Sequence, residues 1–195
     1  MNLANRITVI RIGLIPIFIV LLQSYPQWLI ERSHIVFWLH QYGIYAGTSL
    51  FLLASATDKL DGYIARKYNL VTNAGKLLDP LADKLLISVA FIMLVQDHLV
   101  PTWIAVAIIG RELLVTGIRI AATAQNIALA ADTYGKIKMV VQVAAVAVVL
   151  TLHFPALHLS AAPLACIVML AAAAVTLFSG YRYLKANYSR LSLHL

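Results

Sequence analysis

The sequence predicts an all-α membrane protein, on the basis of its composition, its apolar stretches and the distribution of its charges. Of its 195 residues, 62% are hydrophobic and 12% are charged, far from the balance of a soluble globular domain. Six stretches are apolar enough and long enough to cross a hydrocarbon core of roughly 30 Å. We therefore expect one domain, residues 1–195, with six transmembrane helices at about 7–24, 35–57, 82–98, 101–121, 137–154 and 160–181.

Prolines and charges support these boundaries and mark two of the spans as unusual. Prolines fall at or near the breaks, where a missing backbone N–H costs least: Pro26, Pro101, Pro155 and Pro163. The first span carries Arg11, and the fourth carries Arg111 and Glu112 near its middle. Charges at such depth are costly and usually functional. No small-residue cleavage site closes the first span, so we expect a retained helix.

Lysines and arginines predict the orientation. They cluster at one set of helix ends: Arg6, Arg11, Lys59, Arg66, Lys67, Lys76, Lys84, Arg119, Lys136, Lys138, Arg182, Lys185 and Arg190. The opposite connections hold Arg32. By the positive-inside rule both termini are cytoplasmic, in the cell (inner) membrane. The net charge of +7 could suit nucleic acid, but the apolar content leaves no polar domain for it, so we expect lipid headgroups or phosphates as partners.

Histidine and cysteine do not predict a metal site. Five of the six histidines map to the outer helix ends: His34, His40, His98, His153 and His158. Their scatter favours interfacial positions over metal binding. The single cysteine, Cys166, lies in an apolar run and is expected to pack there.

Aspartates form the main constellation of the sequence. Four of the eight acidic residues fall within one 26-residue segment, as Asp58, Asp61, Asp79 and Asp83. Spacings of three and four put each pair on one face of a helix. The pairs occupy the cytoplasmic end of the second span and the beginning of the third, so the two helices can face each other.

Such a quartet of carboxylates predicts divalent cations. Converging carboxylates repel one another unless they are protonated or neutralised by cations, and hard dications prefer oxygen ligands. Two dications would balance four carboxylates, and a two-metal site suits displacement at phosphorus. Gly62 and Ala65 leave room for a ligand near the helix, and Arg66 adds a planar cation suited to a diphosphate. The alternative is a set of structural bridges with Lys59, Lys76 and Lys84.

This segment resembles a known family. DKLDGYIARKYNLVTNAGKLLDPLAD contains D-x-x-D-G-x-x-A-R, eight residues, and then G-x-x-x-D-x-x-x-D. The pattern is that of the CDP-alcohol phosphatidyltransferases, and all eight fixed positions are filled. The flanking segments NLANRITVIRIGLIP, GRELLVTGIRI and YGKIKMVVQ are most similar to members that use glycerol 3-phosphate.

The resemblance implies roles for individual residues. Asp58, Asp61, Asp79 and Asp83 would bind two divalent ions, Mg²⁺ or Mn²⁺, and Asp83 would also act as the catalytic base. CDP-diacylglycerol would contact residues of the signature and of the first helix, namely Asn5, Thr8, Gly62, Ala65, Arg66, Thr72 and Gly75. Ordinary helix capping would explain Asn5 and Thr8 equally well. The family also implies a homodimer.

The acceptor is predicted from a second group of basic residues. The implied reaction transfers the phosphatidyl group of CDP-diacylglycerol to glycerol 3-phosphate, giving phosphatidylglycerophosphate and CMP. The dianionic acceptor needs cations, and the candidates are Arg111, Arg119, Lys136 and Lys138. Arg111 and Arg119 lie eight apart and can share a helix face. The alternative for Arg119, Lys136 and Lys138 is that they only enforce topology.

Two other functions fit parts of the pattern. The same chemistry could serve another acceptor, such as inositol phosphate, phosphatidylglycerol or serine, although a neutral or zwitterionic acceptor would not need four extra cations. A cation transporter could also place aspartates in a membrane, but transport sites usually lie near the midplane, often at broken helices. These aspartates are expected near one boundary.

Overall fold

The computed structural model describes residues 3–67, 73–125, 133–154 and 162–192. These residues form seven α-helices, and the all-α prediction is confirmed for them. The helices are α1 (Leu3–Leu22), α2 (Gln27–Arg32), α3 (His34–Lys67), α4 (Asn73–Gln96), α5 (Thr102–Ala124), α6 (Thr133–Leu152) and α7 (Ala162–Ser192).

Six long helices correspond to the six predicted stretches, but α3, α4 and α7 extend well beyond them, and one short helix was not predicted. The helix α3 continues to Lys67, ten residues beyond the predicted apolar stretch. The prediction followed apolar character, and the more polar segment after residue 57 is helical as well. The short helix α2 was not predicted. It follows Pro26, whose extended backbone sets the N-cap position, and its six residues are too few to produce an apolar period.

The apolar core joins all six long helices. In α1 and α3, the rings of Phe18 and Phe51 lie 5.9 Å apart. Buried side chains of the other four helices continue this cluster, among them Phe91, Leu94, Ile104, Ile108, Val146, Leu150 and Met169. The helix α1 packs on α3 and α4, and α7 packs on α5 and α6. This arrangement places α4, α5 and α6 side by side around the site described below.

The outward faces are also apolar. Each of the six long helices exposes large hydrophobic side chains, for example Ile17, Leu53, Ile92, Leu114, Val140 and Ile167. Exposed apolar surface on this scale marks contact with lipid or protein. In the described part of the chain, one helix, Pro163–Tyr188, is long and apolar enough to cross a membrane by length and composition. Shorter apolar helices are Val9–Leu22, Lys84–Gln96 and Ile137–Leu152.

A cavity at one end of the helices collects several predicted outer-end residues. It has a volume of about 610 Å³ and is lined by His40, His98, His153 and Asp97, among others. The hydroxyl of Ser24 donates to the Asp97 carboxylate at 2.6 Å. Within the described ranges, no group of three or more histidines, cysteines or acidic residues could hold a metal ion. The interfacial positions of the histidines stay a prediction, and His158 lies outside the described residues.

Close packing of α3 against α1 depends on a glycine. A Cβ atom added at Gly43 would clash with the backbone carbonyl oxygen of Leu21. Because the contact is with backbone, a rotamer change cannot relieve it. A Cβ at Gly13 would meet nothing within 4 Å.

These two glycines give a matched test of the packing. We expect Gly43→Ala to destabilise the protein by about 1–3 kcal/mol, the usual cost of overpacking, since the helices must separate. Gly13→Ala should cause no loss, because Ala favours the helix. Denaturant titration in detergent micelles measures both. Equal stability of the two variants would contradict the close approach.

Candidate active site

Helices α3 and α4 carry the aspartate quartet. Asp58 and Asp61 lie in α3, Asp79 and Asp83 lie in α4, and the two helices contact each other. Their side chains lie outside the described part of the chain. Arg11 is buried in α1, the helix that packs on both α3 and α4. The backbone thus brings a buried cation of α1 to the helix pair that carries the aspartates.

The predicted CDP-diacylglycerol residues lie on the same helices. Asn5 and Thr8 belong to the first turns of α1, Gly62, Ala65 and Arg66 belong to α3, and Gly75 belongs to α4. Their side-chain surroundings lie outside the described part, and Thr72 lies outside the described residues altogether. Their contacts with a substrate stay predictions.

A cavity with charged side chains in its lining lies between α4, α5 and α6. Its volume is about 390 Å³, within the range of small-molecule sites. Four cationic side chains line it: Lys84, Arg111, Arg119 and Lys138. Glu112 is the one carboxylate among the described lining residues. The arrangement therefore carries an excess of positive charge suited to a small anion.

Glu112 connects the basic residues of α5 and α6. Its Oε1 atom accepts a bond from Lys138 Nζ and lies 3.4 Å from Arg111 Nη1. Gln142 Nε2 lies at 3.4 Å from the same oxygen. The side chains of Arg111, Glu112 and Lys138 are 7%, 12% and 11% exposed, respectively. Weak screening at this burial makes the ion pair matter more than a surface pair would.

Lys84 links the cavity to the aspartate helix. It follows Asp83 directly in α4, and its Nζ donates to Thr116 Oγ1 of α5. The hydroxyl of Thr116 in turn donates to the carbonyl oxygen of Glu112 at 2.7 Å. The cationic cavity thus extends to the position in α4 that follows Asp83.

Two arginines of α5 contact α7 as well as the cavity. Arg111 Nη2 donates to Ser179 Oγ at 2.9 Å. Arg119 Nε donates to the hydroxyl of Tyr183 at 3.3 Å, with the guanidinium carbon 5.3 Å from the centre of the ring. The spacing of eight residues therefore does bring both arginines to one cavity. Lys136 lies in α6, but its side chain is outside the described part.

Sequence reasoning missed several residues around this cavity. Lys84 was considered only as a possible bridge to an aspartate. Gln142 and Thr176, which bond to each other at 2.9 Å, were not singled out. A signal existed, because buried polar residues within apolar spans are expensive and usually have a role. Their partners could not be chosen from the sequence, since each bond joins different helices.

The fold and the cavity together define a class of protein: a helical membrane protein with a positively charged cavity beside an aspartate-bearing helix. Residues 1–178 match the model of the CDP-alcohol phosphatidyltransferase family. The chain belongs to this family. The resemblance carried by the aspartate signature is thereby confirmed, as is the prediction of a phosphatidyltransferase enzyme.

Relatives of similar length support the assignment. The chain is 44% identical over 190 residues to the CDP-diacylglycerol–glycerol-3-phosphate 3-phosphatidyltransferase of Bacillus subtilis, covering 97% of each chain. It is 36% identical over 185 residues to the protein of that name from Rickettsia bellii, covering 95% of this chain and 94% of the relative. A probable phosphatidylglycerophosphate synthase of Mycobacterium tuberculosis is 36% identical over 183 residues, or 93% and 79% of the two chains.

The Glu112–Lys138 pair gives a stability prediction. We expect Glu112→Gln to destabilise the protein by about 3 kcal/mol, because it leaves a largely buried ammonium without its carboxylate. The double variant Glu112→Gln/Lys138→Gln should cost less than the sum of the single changes. Denaturant titration in micelles measures the cycle, with Glu31→Gln on the exposed face of α2 as the control. Strict additivity would contradict a coupled pair.

Proposed function

We propose that the protein transfers the phosphatidyl group of CDP-diacylglycerol to glycerol 3-phosphate, releasing CMP and phosphatidylglycerophosphate. The observation that carries this proposal is the cavity lined by Arg111, Arg119 and Lys138, which reaches Lys84, the neighbour of Asp83. The names of the relatives support the same donor and acceptor.

Charge favours a phosphorylated acceptor. Four cationic side chains and one carboxylate leave the described lining three positive charges in excess. A phosphomonoester brings about two negative charges near neutral pH. Arginine presents a planar fork of donors that matches phosphate oxygens, and lysine adds a point charge. A neutral or zwitterionic acceptor would leave this charge uncompensated.

Divalent metal fits the residues of α3 and α4. Four aspartates on two contacting helices offer the oxygen ligands that Mg²⁺ and Mn²⁺ prefer. We propose Asp58, Asp61, Asp79 and Asp83 as the ligands. When bound, the ions would neutralise the diphosphate and stabilise the charge of the leaving CMP.

Residues of the chain then bind the acceptor and take its proton. The acceptor phosphate binds Arg111, Arg119 and Lys138, with Lys136 beside them in α6, and the free hydroxyl points toward Asp83. Asp83 takes the hydroxyl proton while the oxygen attacks the phosphorus nearer the diacylglycerol. The bond from that phosphorus to the CMP oxygen breaks, and CMP leaves.

The donor, CDP-diacylglycerol, binds at the helix ends on the aspartate side. We propose contacts with CDP-diacylglycerol from Asn5, Thr8, Gly62, Ala65, Arg66, Thr72 and Gly75. The planar guanidinium of Arg66 suits the diphosphate. The small residues Gly62 and Gly75 allow close approach of the ligand to the backbone.

The position of the proposed site near one end of the helices fits a protein that spans a bilayer. We propose six spans, with the site and both termini on the cytoplasmic side of the cell membrane, and a homodimer as in the family. The apolar outward faces of all six long helices support the spans. Asp58 follows His34 by 24 residues, or about 36 Å of helix, which exceeds the roughly 30 Å hydrocarbon core. The diphosphate can therefore reach water while the acyl chains stay in lipid.

An acceptor panel tests the proposed reaction. Purified protein with Mg²⁺ or Mn²⁺ should release CMP from CDP-diacylglycerol with glycerol 3-phosphate, and with inositol phosphate, phosphatidylglycerol or serine much more slowly. Chelation by EDTA should abolish turnover, and added metal should restore it. CMP release with a different acceptor alone would overturn the assignment, as would full activity in EDTA.

Substitution of the aspartates tests their separate roles. Asp83→Asn should lower kcat by roughly 10²- to 10⁴-fold, the usual contribution of a general base, while CDP-diacylglycerol still binds. Asp58→Asn should also raise the metal concentration needed for half-maximal activity. Asp97→Asn, at the opposite cavity, is the matched control. Wild-type turnover in Asp83→Asn would contradict its role as base.

A further inference from the structure

The helix α7 carries a buried polar stripe. Thr176, Ser179, Tyr183 and Asn187 are all at most 2% exposed, and their spacing of three or four residues puts them on one helix face. They lie within the apolar segment Pro163–Tyr188. Burying polar groups there is unfavourable unless they are hydrogen-bonded, so the partners of the stripe indicate its purpose.

The partners of three stripe residues are lining residues of the cationic cavity. Thr176 accepts a bond from Gln142 at 2.9 Å, Ser179 accepts one from Arg111 at 2.9 Å, and Tyr183 accepts one from Arg119 at 3.3 Å. Thr176, Ser179 and Tyr183 are not among the residues that line the cavity. The stripe therefore contacts the site from behind, through side chains that do line it.

The close approach of Arg111 to Gly180 adds to these hydrogen bonds. A Cβ atom at this position would lie 2.9 Å from Arg111 Nε and 3.0 Å from its Cγ. The side chain of Arg111 thus lies against the backbone of α7 while its guanidinium bonds to Ser179. Any larger residue at position 180 would push Arg111 toward the cavity.

These contacts hold the side chains of Arg111 and Arg119 in position before a ligand binds. An arginine side chain loses about 2 kcal/mol of rotamer entropy when it is fixed, and a binding site that fixes it in advance does not pay this on binding. The bond from Arg119 to Tyr183 engages Nε, so the terminal nitrogens of the guanidinium can still reach an anion. The ring of Tyr183 supports the guanidinium plane by a cation–π contact.

We propose that α7 positions the acceptor-binding cations: Tyr183 orients Arg119, and Ser179 with Gly180 orients Arg111. The ligand is the phosphate of a small phosphomonoester acceptor, so the inference rests on the proposed function. Tyr183, Ser179 and Gly180 are positioning residues that determine affinity for the acceptor and not for CDP-diacylglycerol.

Steady-state kinetics of the full-length enzyme in micelles tests this inference. Tyr183→Phe removes the hydroxyl and keeps the ring. We expect the KM for glycerol 3-phosphate to rise about 5- to 20-fold, consistent with loss of a hydrogen bond to a charged group. The KM for CDP-diacylglycerol and kcat should stay within about 2-fold of wild type, and Arg119→Ala should show the larger acceptor effect. Tyr188→Phe is the matched control, because this tyrosine of α7 is 72% exposed.

A second pair of variants tests the Arg111 contacts. Ser179→Ala removes the acceptor of the Arg111 bond, and Gly180→Ala adds the Cβ atom that meets the arginine. Both should raise the KM for glycerol 3-phosphate more than that for CDP-diacylglycerol. Gly117→Ala, where a Cβ meets nothing within 4 Å, should change neither constant.

Calorimetric titration with inorganic phosphate separates the two hypotheses. Weaker phosphate binding by Tyr183→Phe than by wild type and Tyr188→Phe would support the positioning role even if another acceptor were used. A wild-type enzyme that does not convert glycerol 3-phosphate would overturn the proposed function. An unchanged acceptor KM with unchanged phosphate binding in Tyr183→Phe, or an equal rise in both KM values, would overturn the positioning role.

Discussion

The carboxylate of Glu112 allows several cations to line one cavity. It binds Lys138 of α6 and lies beside Arg111, its own neighbour in α5. Without an anion among them, these cations would repel one another in surroundings of low dielectric constant. One carboxylate reduces this repulsion but leaves a positive excess. This balance of charge reduces the repulsion between the packed helices. It also leaves a net positive charge that attracts a phosphate.

This constraint explains why bonds between helices hold the described part of the cavity. Each charged group of the cavity is held by a bond to another helix: Lys84 to Thr116, Lys138 to Glu112, and Arg119 to Tyr183. Polar groups in an apolar protein have few alternative partners, so these bonds fix both the helix register and the positions of the cations. Packing and the proposed substrate binding therefore depend on the same contacts.

The sequence predicted the helices and three cationic residues of the cavity, Arg111, Arg119 and Lys138, but not how the cavity is supported. Long apolar stretches and prolines determine where helices can lie, and a spacing of eight residues put Arg111 and Arg119 on one face. The short α2 lacks the length for such a pattern. The bonds of Ser179 and Tyr183 could not be predicted from the sequence. A polar residue in an apolar helix indicates that it needs a partner, but not which helix supplies that partner. Only the tertiary arrangement identifies that partner.

The proposed function divides the molecule into two parts, and the division follows from the same physics. In that proposal the aspartates of α3 and α4 hold metal cations, and the cations of α5 and α6 hold the acceptor anion. The proposal requires the two groups to stay apart, because direct pairing would neutralise both. Glu112 satisfies part of the α5–α6 charge locally, and α7 holds the arginine stems from behind. In the proposed function the aspartates are thereby left for metal and the arginines for the acceptor, and Lys84, next to Asp83 in α4, lies where the two parts meet.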